Sequence, residues 1–352
     1  MRNEAPQIVK KVIRNTTMRA AVIGGGSWGL ALANLLASNG LQILVWEHDP
    51  SFLAALQKNS SNPLLLPDLV LPPSVSFTGN LADVADFSAS IIVLATPTQF
   101  IRSTLKNSPA ELWNGDTLTA IVNVAKGIEQ GSLLTPSGIL KELLPPPMHS
   151  RVCALSGPSH AEEVARQVPT AVVVAGEDDA LLQELQKTFS NSFFRVYSSR
   201  DVMGVEIGGA VKNVISIAAG IVAGLGFGDN TMGALLTRGQ VEIQRLGLAL
   251  GAQAETFLGL SGIGDLITTA ISTHSRNRYV GFEIGKGRKL ADIKAEMNMV
   301  AEGVATTRSV HGLAQTLKVE MPITAQVYAA LYEDKDPRQA ILELMTRDLK
   351  AE

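Results

Sequence analysis

Residues 21–40, AVIGGGSWGLALANLLASNG, join a short apolar run to a glycine-rich turn and a helical pattern. Gly24, Gly26 and Gly29 give the spacing Gly-x-Gly-x-x-Gly directly after the apolar run. In that setting the first glycine permits a tight turn, the second lets a pyrophosphate approach, and the third lets the helix pack on the strand. The helix N-terminus adds free N–H groups that favour an anion. The segment predicts a nucleotide-binding unit; a glycine-rich turn that only packs is the alternative.

Six further apolar runs follow, separated by segments long enough for helices. Together with the first run they predict strands at 19–24, 42–47, 90–95, 118–124, 151–156, 170–175 and 193–198. Continuous apolar runs are typical of strands buried on both faces of a parallel sheet. The proline-rich segments 62–73 and 143–149 are predicted to be loops. We therefore predict an α/β fold, with an N-terminal Rossmann-like parallel-sheet domain followed by an all-helical C-terminal domain.

The strand patterns stop after Asp201, and helical segments broken by glycine continue to the C-terminus. This change predicts a dinucleotide-binding domain over 18–200 and a helical substrate and catalytic domain over 201–352. Residues 1–17 contain several basic side chains but no apolar core and no small-residue cleavage site. They are predicted to be a flexible N-terminal extension rather than a secretory signal.

Composition excludes several classes of protein. The 352 residues carry a formal net charge of −3, so no sequence-wide attraction to nucleic acid or anionic membranes is expected. The single cysteine, Cys153, excludes an internal disulfide and fits a reducing, cytoplasmic compartment. The five histidines form no pair with metal-ligand spacing, so no metal site is predicted. The most apolar run, 214–226, is too short to span a bilayer, and no integral membrane contact is expected.

The end of the second predicted strand bears on which nucleotide is bound. The strand runs into Glu47, His48 and Asp49. An acid there accepts a hydrogen bond from the ribose 2′-hydroxyl of NAD, whereas a group such as His48 meets the 2′-phosphate of NADP. The sequence leaves this choice open. Trp28, inside the glycine turn, is predicted either to cover the pyrophosphate or to anchor the turn.

Three strand ends place polar residues where an open α/β sheet binds its ligands. Their motifs are ATPTQF (95–100), NVAKGIE (123–129) and SGPSHAEE (156–163). Lys126 directly follows a buried strand, so its ammonium group is predicted to project into the crevice; a solvated loop lysine is the alternative. Ser159 is predicted to cap the helix that starts after Gly157 and Pro158, and also to face the crevice.

The segment GGAVKNVISIAAG, residues 208–220, resembles a buried helix but contains a lysine. Burying an unpaired ammonium group is costly, so Lys212 requires an explanation. On a helical wheel the residues within about 40° of it are all small: Gly208, Ser216, Ala219 and Ala223. This bare face predicts that another group approaches Lys212; a lysine that extends to solvent from a partly exposed helix is the alternative.

The segment GIGDLITTAISTHSRNRYVG, residues 262–281, places Asp265 after glycines and opens a helix at Ser275, Arg276 and Asn277. Such a helix start suits a phosphate, because the helix dipole, free N–H groups and a guanidinium converge there. Ser275 as a plain N-cap beside a surface arginine is the alternative. Arg278 is a second candidate for the positive charge.

Taken in order, the motifs resemble the bacterial NAD(P)-dependent glycerol-3-phosphate dehydrogenase family. The resemblance runs from Met18 to about Leu344, through GGGSWG, LPD, VAKGIE, SGPSHAEE, GGAVKNVI, GFGDNT, LSGIGDL, SRNR, VAEG and MPIT. It implies a cleft between two domains and the reversible reduction of dihydroxyacetone phosphate to sn-glycerol 3-phosphate with NAD(P)H, for glycerophospholipid synthesis. Two departures are Glu47, which stands where some relatives have a small residue, and residues 1–17, which match nothing in the family core.

The resemblance also implies roles for individual residues. Lys212 matches the residue that donates and accepts the proton. In addition to the three glycines of the turn, the implied cofactor contacts are Ser27, Trp28, His48, Lys126, Ala161, Arg276, Val300 and Glu302. The implied substrate contacts are Lys126, Gly157, Ser159, Lys212, Asp265, Ser275, Arg276 and Asn277.

These residues predict a mechanism that uses no metal. Hydride reaches C2 of dihydroxyacetone phosphate while Lys212 protonates the developing alkoxide, and Lys126 and Asn213 help to place the carbonyl. Arg276 and the helix start at Ser275 hold the phosphate. A related two-domain reductase of a keto acid and a non-enzymatic NAD(P)-sensing protein are the alternatives. The sequence does not decide the oligomeric state, for which a homodimer is one option.

Overall fold

The structure is a computed structural model that describes residues 18–114, 117–297, 299–349 and 351. The predicted N-terminal extension, residues 1–17, lies outside the described residues. Strands alternate with helices up to Ser199, and from Val202 onward the described chain is helical. The position of a domain boundary near residue 200 stays a prediction.

Eight strands form one sheet in the order β3-β2-β1-β4-β5-β6-β7-β8. Their bounds are Arg19–Ile23 (β1), Gln42–Trp46 (β2), Val75–Thr78 (β3), Ile91–Leu94 (β4), Ala120–Asn123 (β5), Val152–Ser156 (β6), Thr170–Ala175 (β7) and Phe194–Ser199 (β8). Strands β1 to β6 pair in parallel, β7 is antiparallel to β6, and β8 is parallel to β7. The carboxyl ends of six strands therefore meet at one edge, where an open α/β sheet binds its ligands.

Strand β3 was not predicted from the sequence. The strand has four residues, forms one edge of the sheet and contains Ser76 and Thr78, so it lacks a continuous apolar pattern. The seven predicted strands are all present, with small differences at their ends.

The prediction of a parallel sheet was wrong for β7. A parallel connection needs a crossover long enough to return the chain to the same end of the sheet. Between Ser156 and Thr170 there is only a five-residue helix, Ala161–Ala165. The chain therefore enters β7 from the end at which β6 stops.

Helices cover both faces of the sheet. Their bounds are Ser27–Ser38 (α1), Pro50–Asn59 (α2), Leu81–Asp86 (α3), Thr98–Lys106 (α4), Glu111–Asn114 (α5), Pro136–Leu143 (α6), Ala161–Ala165 (α7) and Asp179–Phe189 (α8), with a 3-10 helix at Pro146–Arg151. Helices α1 and α8 pack on the face that contains Val22, and α3, α4 and α6 pack on the face that contains Ile23. Two buried faces explain the continuous apolar runs of the central strands.

The second half of the described chain is built around one long helix. The helices are Val202–Gly224 (α9), Asp229–Ala249 (α10), Asp265–Ile271 (α11), Arg276–Gly285 (α12), Leu290–Glu296 (α13), Glu302–Leu317 (α14), Pro322–Tyr332 (α15) and Pro337–Met345 (α16). Short 3-10 and π-helical turns, Ala254–Leu258 and Leu260–Gly264, precede α11. Helix α9 packs against α10, α11, α12 and α14, and nearly all of its side chains are buried.

Glycines let α9 and α12 touch through their backbones. A Cβ atom on Gly220 would lie 2.1 Å from the carbonyl oxygen of Arg278, and one on Gly281 would lie 1.9 Å from that of Ile217. On the predicted bare face of α9, a Cβ on Gly208 would lie 2.5 Å from the carbonyl oxygen of Ser261. Neighbouring backbone therefore fills the space beside Gly208.

Among the described residues, α9 is the one helix long and apolar enough to cross a membrane. It has 23 residues, and 89% of its most apolar window is buried inside the protein. The helix is longer than the apolar run 214–226 because it already begins at Val202. This degree of burial is typical of the central helix of a protein core.

We predict that Gly281→Ala destabilises the protein by roughly 1–3 kcal/mol, because the added Cβ forces two tightly packed backbones apart. The melting temperature, measured by calorimetry, should fall by several degrees. Gly233→Ala in α10 is the matched control, since a Cβ there meets nothing within 4 Å and alanine favours a helix. A Gly281→Ala protein as stable as the Gly233→Ala protein would contradict the backbone contact.

Candidate active site

A cleft of about 720 Å³ lies between the carboxyl ends of the strands and the central helices. It is lined by the glycine turn after β1, by the segments that follow β4, β5 and β6, and by residues of α9, α11, α12 and α14. Its volume is in the range of ligand-binding pockets. The cleft therefore brings the separate sequence motifs together.

The glycine turn forms one end of the cleft. Gly24 has a φ of +121°, which favours glycine, and a Cβ on Gly29 would lie 2.0 Å from the carbonyl oxygen of Gly24. A Cβ on Gly26 would meet nothing within 4 Å, so space is open there. Helix α1 begins at Ser27 without a side-chain cap, which leaves the N–H groups of its first turn available. The turn fits a pyrophosphate.

Ser27 and Trp28 lie beside this opening and line the cleft. The hydroxyl of Ser27 donates to the carbonyl oxygen of Leu65 and contacts Sδ of Met299, both at 3.4 Å. Trp28 packs against the core of the sheet. Both side chains therefore help to fix the turn within the wall of the cleft.

Glu47 and His48 follow β2 at the same end of the cleft. The carboxylate of Glu47 accepts hydrogen bonds from the N–H groups of Gly25 at 3.0 Å and Asp49 at 2.7 Å. Nδ1 of His48 lies 3.0 Å from the same carboxylate, and the histidine side chain is 79% exposed. The end of β2 is therefore tied to the glycine turn through Glu47.

A carboxylate holds two lysines deeper in the cleft. Nζ of Lys126 donates to Oδ2 of Asp265 at 2.7 Å, and Nζ of Lys212 donates to Oδ1 at 3.0 Å. Lys212 also donates to the hydroxyl of Thr269 at 2.5 Å. Lys212 is 5% exposed and Asp265 is 2% exposed. We call Lys126, Lys212 and Asp265 the lysine cluster.

The environment shifts the pKa values of two members of the cluster. Burial lowers the pKa of Lys212 to about 8, although the charge of Asp265 opposes this shift. Burial acts to raise the pKa of Asp265, but the charges of Lys126 and Lys212 outweigh it and hold that pKa below its usual value. Lys212 can therefore exchange a proton close to neutral pH, as a general acid or base requires.

Neighbouring groups orient Lys126. Its Nζ donates to the carbonyl oxygen of Gly157 at 2.9 Å, and its own carbonyl oxygen accepts from Nδ2 of Asn213 at 3.0 Å. The hydroxyl of Ser159 also donates to the carbonyl oxygen of Gly157, at 3.0 Å. The prediction that Ser159 caps a helix was wrong, because α7 begins at Ala161 with His160 as its N-cap residue.

The start of α12 lines the cleft. Oγ of Ser275 accepts from the N–H of Arg278 at 3.2 Å, so Ser275 is an N-cap, as the alternative interpretation had it. A guanidinium N–H of Arg276 donates to the carbonyl oxygen of Val300 at 3.0 Å. Oδ1 of Asn277 accepts from the N–H of Gly303 at 3.0 Å. These bonds fix the helix start against the segment that leads into α14.

Glu302 joins the start of α14 to the strand ends. One carboxylate oxygen accepts from the N–H of Thr98 at 2.8 Å, and the other lies 3.4 Å from the N–H of Lys126. The backbone of Lys126 is therefore held from the helical half of the chain as well as from its own strand.

Most of the predicted site residues line this cleft. They are Gly24, Gly26, Ser27, Trp28, Gly29, His48, Lys126, Ser159, Ala161, Lys212, Asn213, Ser275, Arg276, Asn277, Val300 and Glu302. Gly157 and Asp265 are not among the lining residues, but both accept hydrogen bonds from Lys126. Which residues contact cofactor and which contact substrate stays a prediction.

Comparison with known protein families identifies the chain. The model of the NAD-dependent glycerol-3-phosphate dehydrogenase N-terminus matches residues 19–182, and that of the C-terminus matches residues 201–342. The chain belongs to this family.

Relatives in the glycerol-3-phosphate dehydrogenase family have nearly the same length. A glycerol-3-phosphate dehydrogenase (NAD(P)+) from Citrifermentans bemidjiense is 49% identical over 338 residues, 95% of this chain and 98% of the relative. One from Trichlorobacter lovleyi is 50% identical over 336 residues, 95% and 99% of the two chains. The crystal structure of glycerol-3-phosphate dehydrogenase from Coxiella burnetii is 34% identical, with a TM-score of 0.86 over 94% of this chain and 99% of that one. A ketopantoate reductase from Ralstonia eutropha, 13% identical with a TM-score of 0.55, shares the fold alone.

Thr269 and His160 also line the cleft of this dehydrogenase, and neither was predicted from the sequence. Thr269 accepts from Lys212 and donates to Asp265 at 3.2 Å. It lies one helical turn after Asp265, and this four-residue spacing is the signal that could have found it. His160 has a buried Nε2 without a partner in the described part of the chain, and burial lowers its pKa. The sequence contains no spacing pattern that would have identified His160 as a residue of the cleft.

We predict that Asp265→Asn lowers the free energy of unfolding by about 3 kcal/mol at pH 7, because a buried ammonium group loses its counter-charge. Urea denaturation measures the change. The pKa of Asp265 is lowered in the folded protein, so its contribution is present above the pKa of the unfolded chain and is lost as pH falls through the folded value.

The loss caused by Asp265→Asn should also shrink at pH 9, because Lys212 is mostly uncharged above about pH 8. Asp68→Asn, in an exposed loop, is the control and should change stability by less than about 0.5 kcal/mol. If Asp265→Asn lowers the free energy of unfolding no more than Asp68→Asn does, the lysine cluster does not depend on this carboxylate.

Proposed function

We propose that the protein is an NAD(P)-dependent glycerol-3-phosphate dehydrogenase that interconverts dihydroxyacetone phosphate and sn-glycerol 3-phosphate. The observation that carries this proposal is a single cleft with a pyrophosphate-type glycine turn and a buried lysine held by Asp265. Family membership supports the same activity. The product would serve glycerophospholipid synthesis in the cytoplasm.

The cofactor would lie along the glycine turn, because the open space at Gly26 and the free N–H groups of α1 suit its pyrophosphate. When bound, NAD(P)H supplies the hydride for C2 of dihydroxyacetone phosphate. Further contacts would come from Ser27, Trp28, His48, Lys126, Ala161, Arg276, Val300 and Glu302. The proposal includes no metal; within the described residues no group of three His, Cys, Asp or Glu side chains is arranged to hold one.

Lys212 would act as the general acid in reduction and the general base in oxidation. Its Nζ gives a proton to the oxygen of C2 as negative charge develops there, and takes the proton back in the reverse reaction. With a pKa of about 8, Lys212 is mostly protonated at pH 7 and can still lose its proton. Asp265 aims the ammonium group and keeps its pKa from falling further.

Lys126 and Asn213 would place the reacting carbonyl. Two ammonium groups share one carboxylate, so the lysine cluster carries one net positive charge when both lysines are protonated. That charge stabilises an oxygen that becomes negative in the transition state, and burial strengthens the effect. Asn213 holds the backbone of Lys126 and thereby fixes its position.

The substrate phosphate would bind at the start of α12. Ser275 and Asn277 hold the helix end in place, and Arg276 supplies a guanidinium at the cleft wall. Binding the phosphate would orient the carbonyl toward Lys212, since remote binding energy is used to position the reacting group. A free keto acid has no phosphate for this end of the cleft, which favours a phosphate ester over the alternative reductase.

We propose that the enzyme functions without nucleic acid or integral membrane contact, and that it forms a homodimer. Light scattering of the purified protein measures its mass in solution and tests the dimer.

We predict that Lys212→Met lowers turnover by about two to four orders of magnitude, because the proton donor is lost. Nicotinamide absorbance with dihydroxyacetone phosphate, using NADH and NADPH in parallel, measures turnover and tests the proposed reaction. In the wild type, reduction should decline above about pH 8 as Lys212 loses its proton, and oxidation should increase over the same range.

The control for Lys212→Met is Lys187→Met on the exposed side of α8, which should turn over normally. Nucleotide binding should persist in both variants. Near-normal turnover of Lys212→Met would remove Lys212 from the reaction.

We predict that Arg276→Ala raises the KM for dihydroxyacetone phosphate about tenfold or more, because a charged hydrogen bond to the phosphate is lost. The change in kcat should be smaller. Arg200→Ala is the control, since Arg200 pairs with Asp179 on an exposed surface. Steady-state kinetics measures both constants, and an unchanged KM in Arg276→Ala would place the phosphate elsewhere.

A further inference from the structure

The carboxylate of Glu47 is a fixed negative charge at the nucleotide end of the cleft. Its Oε2 accepts the N–H of Gly25 at 3.0 Å, and a Cβ on Gly25 would lie 2.7 Å from the same oxygen. Glu47 is 5% exposed and lines the cleft. The carboxylate therefore lies directly against the glycine turn, with little freedom to move away.

The hydrogen bonds of Glu47 leave one place for a further donor. Oε1 accepts from the N–H of Asp49 at 2.7 Å and lies 3.0 Å from Nδ1 of His48. Oε2 accepts only from Gly25 among the described residues. A carboxylate has about four acceptor positions, two on each oxygen. The remaining position is on Oε2, beside the glycine turn, and it can be filled only by a donor.

We propose that Glu47 makes this enzyme prefer NAD(H) over NADP(H). This inference rests on the proposed function and specifies its cofactor. In dinucleotide-binding units an acid at the end of the second strand meets the adenosine ribose. The 2′-hydroxyl of NAD is a donor that fills the remaining position on Oε2. The 2′-phosphate of NADP offers only acceptors when ionised, and its charge is repelled by a carboxylate in a poorly solvated site.

The cationic side chains that line the cleft are engaged elsewhere. Lys126 and Lys212 bind Asp265, and Arg276 binds the carbonyl oxygen of Val300. Between β2 and the end of α2 the sequence contains no arginine, and its one lysine, Lys58, lies in the last turn of α2. His48, which could have met a 2′-phosphate, has Nδ1 turned to Glu47. Apart from this contact with His48, no side chain of the segment pairs with the carboxylate of Glu47 in the structure.

Nucleotide binding to the full-length protein tests the inference without catalysis. Calorimetric titration gives Kd for NAD+ and NADP+ in the wild type and in Glu47→Gln, which keeps the side-chain volume and removes the charge. The wild type should bind NAD+ at least about tenfold more tightly than NADP+. In Glu47→Gln the Kd values for NAD+ and NADP+ should differ by no more than about threefold, because NAD+ binds more weakly and NADP+ binds more tightly.

Asp49→Asn is the matched control. Asp49 is two residues away, and its side chain caps α2 by accepting from the N–H groups of Ser51 and Phe52, which asparagine also does. This variant removes one nearby negative charge without changing the carboxylate at the glycine turn, so the Kd ratio should stay within about twofold of the wild type. Equal change in both variants would indicate a general effect of charge and overturn the role of Glu47.

The wild-type ratio tests the inference even if Glu47→Gln does not fold, which its melting temperature would reveal. Equal affinities for the two nucleotides, or tighter binding of NADP+, would overturn the proposal. An unchanged ratio in a folded Glu47→Gln protein would also overturn it. Failure of the proposed function looks different: nucleotides bind with the expected ratio, but dihydroxyacetone phosphate is not reduced.

Discussion

The shared carboxylate of Asp265 is the interaction on which the cleft depends. It binds Lys126, which follows a strand of the sheet, and Lys212, which belongs to the central helix. A buried ammonium group without a counter-charge is strongly destabilising, so Lys212 does not tolerate displacement from Asp265. The partly exposed Lys126 is held by Asp265 and by the carbonyl oxygen of Gly157. The electrostatic requirement therefore fixes the sheet edge relative to α9. It also places the proposed proton donor, Lys212, beside a second positive charge, where a carbonyl oxygen can meet both.

Close contacts between glycines fix the other end of the substrate site. Gly220 and Gly224 on α9 face the backbone of α12, and Gly281 and Gly285 on α12 face the backbone of α9. Backbone atoms cannot adjust as side chains do, so the crossing of the two helices is rigid. Helix α12 starts at the predicted phosphate site, and α9 carries Lys212. The distance between the proposed phosphate site and the proposed proton donor is therefore set by the packing of these two helices.

Local signals in the sequence predicted most of this arrangement, and features that depend on tertiary context were missed. The glycine turn and seven strands follow from spacing and continuous apolar runs, which neighbouring residues determine. Strand β3 was missed because only its position at the sheet edge makes it a strand, and the direction of β7 depends on the length of the connection before it. Lys212 was identified as unusual from its surroundings in the sequence, but its bond to Thr269 exists only in the folded cleft.

The two ends of the cleft differ in the charge of the side chains that line them: lysines at one end and the carboxylate of Glu47 at the other. At the proposed substrate end, the positive charge of the lysine cluster and the helix dipole at the start of α12 favour anions. This suits a substrate that carries a phosphate and develops a negative oxygen. At the nucleotide end, the free N–H groups of α1 favour the pyrophosphate, while Glu47 lies against the same turn. With the proposed role of Glu47, an anion is accepted beside Gly26 but not beside Gly25. Glu47 is held by the backbone of the same turn that would bind the pyrophosphate. In this proposal, selection between nucleotides therefore depends on the hydrogen-bonding capacity of a fixed carboxylate, not on the net charge of the protein.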